Sequence, residues 1–257
     1  MSLAQGLSES DLWNMKSATG YVKQCYGASG LSTNISLDQI TLAKPFDFVV
    51  GYPEVAFGHN YAGQEFAHSD SAAIQFPLQL ETLDSRDFWA NMTYSISIAR
   101  PAQMDLAYDL WIKNSTQGAP TSGDFEVMID PVDTYLYASS YDTTVMQNET
   151  IIINGQRQTS SWNVYSFPYG GTDAKLIVFA MASPAQSLKE AISLKPNDFI
   201  SFLRTSMGLN IPRSYWLMGI ELGSEFYPQP FGAQPTWSWN ISKFSISVAS
   251  SHIWIIP

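Results

Sequence analysis

With 257 residues the chain suits one large β domain, and it is long enough to bury roughly 70–75% of its unfolded surface without disulfides or metal. Lys and Arg number 13 against 23 Asp and Glu, and the net charge of −10 argues against a nucleic-acid partner or an anionic membrane surface. Only 14% of residues are charged while 45% are hydrophobic, so the chain folds and builds its polar surface from uncharged side chains, a composition that predicts tolerance of acid.

The elements follow in chain order. Residues 1–11 carry neither a basic region nor an apolar run, so a secreted protein of this sequence has already lost its signal peptide. Sequons at Asn34, Asn91, Asn114, Asn148 and Asn240 lean toward an extracellular location, and the single cysteine, Cys25, excludes an internal disulfide. From Ile40 onward, short runs alternate between apolar and polar residues. Segments 46–52, 93–99, 105–113, 124–130, 150–155, 162–167, 175–181 and 244–250 read as strands, rich in β-branched and aromatic residues and bounded by Gly, Pro, Asn and Ser. Residues 118–123 and 223–235 read as loops. One helix is expected over 197–207, capped by Asn197 or Asp198, with Phe199, Ile200, Phe202 and Leu203 as its apolar stripe. The stretch 185–192 would add a turn or two to it. Many short strands and one helix predict an all-β jelly roll, a sandwich of two antiparallel sheets. The helix would cover the outer face of one sheet, and a concave face would form a cleft. No repeat or linker interrupts the chain, so residues 1–257 are expected to form a single domain.

Strand parity locates the chemistry. In 124–130, Phe125, Val127 and Ile129 point to one face and Glu126, Met128 and Asp130 to the other. Asp109 and Trp111 share a face, opposite Tyr108, Leu110 and Ile112. Over 214–226, Trp216, Met218, Ile220 and Leu222 oppose Glu221 and Glu225. Three strands thus each place acids on one otherwise uncharged side. A solvated sheet face would carry such residues too, but scarce acids set among Trp, Met and Tyr suggest a cleft with perturbed carboxyls.

At these residues the sequence resembles glycoside hydrolase family 12, the β-jelly-roll endoglucanases. Glu126-Val127-Met128-Ile129 is similar to that family's nucleophile strand, and Ala107-Tyr108-Asp109-Leu110-Trp111 to the strand before it. Gly223-Ser224-Glu225-Phe226 resembles the motif carrying the acid/base. Gly51-Tyr52-Pro53-Glu54-Val55 and, more loosely, Asp11-Leu12-Trp13-Asn14 resemble two further segments in the same order. Two departures stand out: Asp130 occupies a position where the family often has Trp, and Glu221 one where relatives commonly have Gln.

The resemblance implies an endo-β-1,4-glucanase that works with retention through two carboxyls about 5–5.5 Å apart. Glu126 would be the nucleophile, Glu225 the acid/base and Asp109 the residue that orients Glu126. Glu225 would keep its proton through the charge of Glu126 and partial burial. Trp13, Trp111, Met128 and Tyr52 are the candidate substrate-binding residues, since pyranose C–H groups pack on flat apolar faces; core packing is the competing reading for each. Trp162, Trp216, Trp237 and Trp239 are expected in the core or at the rim. No metal or cofactor is implied, and His59, His68 and His252 show no ligand spacing. The expected partner is a β-glucan, with no nucleic acid, no membrane and a monomeric chain. The competing classes are a non-catalytic glycan-binding β-sandwich, an acid peptidase suggested by Asp130 and Glu221, and a structural cell-surface protein.

Overall fold

The computed structural model describes residues 10–11, 15–27, 30–42, 51–66, 74–98, 104–133, 143–168, 174–182, 189–225 and 237–249. The strands are β1 Ser10–Asp11, β2 Met15–Gly27, β3 Gly30–Leu42, β4 Tyr52–Gly58, β5 Leu78–Gln79, β6 Asp87–Ile98, β7 Asp105–Lys113 and β8 Phe125–Asp133, then β9 Thr143–Ile153, β10 Gln156–Pro168, β11 Lys175–Met181, β12 Lys189–Leu194, β13 Trp216–Leu217, β14 Gly219–Gly223 and β15 Trp237–Ala249. Among the described residues two helices accompany them, α1 Leu80–Asp84 and α2 Pro196–Thr205.

The jelly roll holds. Hydrogen-bonded neighbours run β1-β4-β14-β7-β8-β11-β10-β9-β12-β6-β15-β3-β2. Two features refine the expected sandwich of two antiparallel sheets. One pair, β8 with β11, is parallel. The two leaves also form one continuous path, stitched where β9 meets β12 through only Ile192↔Ile153 and Ser193↔Ile152. The leaves then fold onto each other. Phe57 of β4 and Tyr108 of β7 lie 5.2 and 6.1 Å, centroid to centroid, from Phe244 of β15. Leu106, Tyr108, Leu110, Phe125, Val127, Ile129, Ile177 and Phe179 of one leaf and Phe88, Ala90, Met92 and Ile246 of the other share a single core. Each fully buried aliphatic or aromatic side chain stabilises by about 1.5–3 kcal/mol.

Local chemistry explains where elements begin and end. The β9–β10 hairpin turns on Asn154-Gly155, with φ of 51° and 78°; positive φ at both central residues is what the tight hairpin turn requires. Strands β7 and β11 occupy the segments expected of them, 105–113 and 175–181. Other expectations move. Of 46–52, residues 46–50 lie outside the described residues and β4 starts at Tyr52. Helix α2 starts earlier than expected: Lys195 is its N-cap, with no side-chain cap, because the fixed φ of Pro196 suits the first helical position. Its stripe does not cover an outer sheet face. Phe199, Ile200 and Leu203 enter the main core, and the Phe199 ring packs edge-on to Trp162 at 4.9 Å and Phe179 at 5.1 Å. Residues 189–194 form a strand paired along β6, not further helix. The local apolar alternation there is satisfied by a long-range partner, which overrides helix propensity.

Candidate active site

The face of the first leaf turned away from the core carries the acids. Register aligns Asp109 with Met128 and Trp111 with Glu126 across β7 and β8. Glu221 of β14 stands opposite Asp109, and Ala56 of β4 opposite Glu221. On β4, parity puts Tyr52 and Glu54 on the same side. The expected alternation therefore brings Glu126, Asp109 and Glu221 together. It also brings in Glu54 and Tyr52, from a strand whose acid the sequence reading left without a role.

Two carboxyl–carboxyl hydrogen bonds organise this face. Asp109 bonds to Glu126, and Glu54 bonds to Glu221. The Glu126 carboxyl is pushed well above the usual range, first by burial, then by the charge and hydrogen bond of Asp109, then by Glu225. Glu221 is pushed up by burial, by the charges of Glu54 and Asp109, by the bond to Glu54, and by Glu126. A bond between two carboxyls requires that at least one hold a proton, so each pair retains a proton above the ordinary carboxylate range.

Glu225 follows the end of β14 and is fixed through its backbone. Its N–H donates to Asp105 Oδ1 at 2.8 Å, and its carbonyl accepts from the Asp105 N–H at 3.0 Å. The Ser224 hydroxyl donates to the Asp105 carbonyl. Asp105 is buried, and its carboxyl is pushed up by burial, then by the charges of Glu225 and Asp130. The sequence reading gave Asp105 no role. Parity along β7 does place it on the side of Asp109, since Leu106, Tyr108, Leu110 and Ile112 all enter the core and the extra residue at the register shift belongs to β8, between Ile129 and Val132. Asp130 is fully buried, stands in register with Ala180, and shares with Met128 the side of β8 opposite Val127 and Ile129.

Tyr52, Met128, Ala107 and Val178 form the floor, with Tyr165, Phe167 and Leu176 packed against it. Tyr52 donates to the Ala107 carbonyl at 3.0 Å. Its ring lies under Gly223, where a Cβ would come within 2.6 Å of the ring, so no other residue fits there. Four acids surround that phenol: after burial, the charges of Asp109, Glu54, Glu221 and Asp105 raise its pKa. Trp111 shares the face of Glu126 but is only 3% exposed. Tyr61, missed by the sequence reading because its loop has no periodicity, packs against Trp111 at 5.5 Å and is 40% exposed. Trp13, His68 and His252 lie outside the described residues, as do the side chains of Trp237 and Trp239. Trp162 is fully buried, as expected of a core residue, and Trp216 is half-buried. Among the described residues no cluster of His, Cys, Asp and Glu has the arrangement of a metal site, and no helix is long and apolar enough to cross a membrane.

Fold and site together define a jelly-roll protein whose concave face is lined by paired carboxyls and aromatic rings. The model of glycosyl hydrolase family 12 matches residues 7–249. In structure the chain is similar to the family 12 xyloglucanase from Bacillus licheniformis (TM-score 0.62, 21% identity, 93% of this chain and 91% of that chain). It is also similar to endoglucanase 3 from Trichoderma harzianum (TM-score 0.61, 18% identity, 93% and 89%) and to an endoglucanase from Rhodothermus marinus (TM-score 0.60, 17% identity, 93% and 90%). No curated protein sequence matches the chain. The chain belongs to glycosyl hydrolase family 12 and is a glycoside hydrolase with a polysaccharide substrate.

Proposed function

We propose that the chain is an endo-acting β-1,4-glucanase that cleaves cellulose-like or mixed-linkage glucans with retention, as a single catalytic domain. We read it as a secreted, acid-tolerant monomer without a cofactor. The xyloglucanase and endoglucanases among its structural neighbours support the β-glucan class. The observation that carries the reading is Glu126, hydrogen-bonded by Asp109 on the concave face and under the electrostatic influence of Glu225.

In the active form the proton shared by the pair sits on Asp109, which donates to an ionised Glu126. A Glu126 oxygen attacks the anomeric carbon while Glu225 gives its proton to the departing glycosidic oxygen. The products of this step are a covalent glycosyl-enzyme and a shortened chain. Glu225, now a carboxylate, takes a proton from water as the water oxygen attacks the same carbon. Glu126 leaves as carboxylate and Glu225 is protonated again. Tyr52 and Met128 form the floor beneath the reacting sugar, and Trp111 and Trp13 contribute aromatic surface.

The test is reducing-sugar release from carboxymethyl cellulose, barley β-glucan and xyloglucan between about pH 2 and 7, for the wild type beside Glu126→Gln and Glu225→Gln. Release by the wild type alone supports the reading. Binding of β-glucan with no release by any of the three proteins favours a glycan-binding module instead.

A further inference from the structure

Strand β14 pairs with β7 through Glu221↔Asp109, Leu222↔Tyr108 and Gly223↔Ala107. The same register, carried two residues further, sets Glu225 opposite Asp105. Two residues that face each other in a hydrogen-bonded antiparallel pair exchange two backbone bonds. One of these is present: the Asp105 N–H donates to the Glu225 carbonyl at 3.0 Å. At the place of the other, side chains intervene. The Glu225 N–H donates to Asp105 Oδ1 at 2.8 Å, and the Asp105 carbonyl accepts from the hydroxyl of the buried Ser224. The chain thus leaves the ladder at Glu225, and Asp105 grips it at the point of departure. Leu106, Tyr108 and Leu110 enter the core, so Asp105 shares with Ala107 and Asp109 the side of β7 that carries the site.

Anchoring alone does not require an acid. An asparagine oxygen would accept the same N–H without the cost of burying a charge. Asp105 is buried, and its Oδ2 has no hydrogen-bond partner among the described residues. Asp133 of β8 pairs with it in register, and Asp130 lies on the same strand. Burial, then the charges of Glu225 and Asp130, push the Asp105 carboxyl up, with Asp133 adding to them; the Glu225 N–H favours its ionised form. Tyr52 of β4 is the further titratable neighbour, and its phenol is raised in part by the Asp105 charge. Electrostatic repulsion is mutual, so a charge on Asp105 raises the hold of Glu225 on its own proton. Glu126 repels Glu225 in the same sense.

We infer that Asp105 is the positioning residue of Glu225: its carboxyl fixes the backbone from which the acid/base projects, and its negative charge keeps on Glu225 the proton that the leaving glycosidic oxygen receives. Strand β7 then supplies each reacting carboxyl with its own aspartate, Asp109 for Glu126 and Asp105 for Glu225. A general acid must hold its proton up to the working pH, and a carboxylate beside it raises that limit. In the second step Glu225, now ionised beside Asp105, is the stronger base toward water. The inference rests on the glucanase reading of the same site.

The experiment compares kcat/KM between about pH 2 and 8 on cellopentaose and on dinitrophenyl β-cellobioside, whose leaving group departs without a proton. The proteins are the wild type, Asp105→Asn, Asp105→Ala and Glu225→Gln. Glu225→Gln should lose at least about a hundredfold more on cellopentaose than on the aryl glycoside. Asp105→Ala should show the same bias more weakly, losing about ten- to a hundredfold on cellopentaose and less than about threefold on the aryl glycoside, which a general loss of structure would not do. Asp105→Asn keeps an acceptor for the Glu225 N–H and removes the charge. It should recover most of the cellopentaose rate at the acid end, while the basic limb moves down by about half to one pH unit. Equal losses on the two substrates in Asp105→Ala, or a basic limb that stays in place in Asp105→Asn, would overturn the assignment of Asp105 alone. Equal losses on the two substrates in Glu225→Gln would overturn Glu225 as the acid/base, and this inference with it.

Discussion

The molecule treats its acids in opposite ways in two places. At the foot of α2, Asp84 receives Arg204 at 2.8 Å and Arg213 at 3.1 Å, and Asp87 meets Lys195 at 2.5 Å. The Asp87 carboxyl is held below its usual range, chiefly by the hydrogen bond from Lys195. On the concave face, the charges acting most strongly on Glu126 and Glu221 are those of other carboxyls, and both are pushed up. At Asp84 and Asp87, which join elements, a cation accompanies the acid. On the concave face, burial and further carboxyls surround Glu126 and Glu221 instead. That arrangement costs stability at neutral pH and is the expected mark of a site organised for chemistry.

The comparison can be broken by substitution, and the largest effect should come from the cleft. Glu126→Gln should lower turnover by at least about a thousandfold while oligosaccharide binding persists, as measured by initial rates and calorimetry. Next should come the foot of α2. Arg204→Ala leaves the half-buried Asp84 short of a charged partner and should cost about 1.5–3 kcal/mol in denaturant unfolding. The exposed Arg213, replaced by Ala, should cost less than about 1 kcal/mol. If both arginine variants were equally mild, the structural half of the contrast would fail.

The smaller effects are in pH dependence. A carboxyl whose folded-state pKa is raised holds more protons folded than unfolded, so its contribution to stability is present in acid and lost as pH rises through the folded pKa. The cleft acids, together with Glu149, which burial and a hydrogen bond to Asp198 raise to about 7, should make the protein more stable as pH falls from about 7 toward 4.5. Thermal unfolding across that range checks the sign, and Glu149→Gln should flatten the curve. Asp87, whose pKa is lowered, acts in the opposite sense, its contribution being lost in stronger acid. Glu221→Gln removes a negative neighbour of the Asp109–Glu126 pair. Glu126 should then ionise at lower pH, and the acid limb of kcat/KM should move down by less than about one pH unit. A limb that moves upward would contradict the electrostatic account.

Much of the site was legible because β strands alternate. The composition of 105–113 and 124–130 fixed which residues shared a face, and Asp109, Trp111, Glu126 and Met128 meet there as parity requires. The jelly roll followed from many short strands with little helix. What parity could not reach was set by other physics. Tyr61 sits in an aperiodic loop held by Asn60 and Lys113, whereas Asp105 shares the parity of Asp109 and takes its part only through the backbone of Glu225, far away in sequence. The parallel pairing of β8 with β11, and the strand at 189–194, depend on partners far away in sequence. Trp111 was visible as a flat aromatic on the right face, but only the packing of Tyr61 over it explains its burial.

The account stands most directly on Glu126 as the atom donor to the anomeric carbon. Incubating the enzyme with an activated 2-deoxy-2-fluoro β-cellobioside slows breakdown of the glycosyl-enzyme so that it accumulates. Proteolysis and mass spectrometry then locate the sugar. The predicted result is one cellobiosyl adduct on the peptide containing Glu126, absent in Glu126→Gln. An adduct on any other carboxyl, or hydrolysis with inversion and no adduct, would contradict the account.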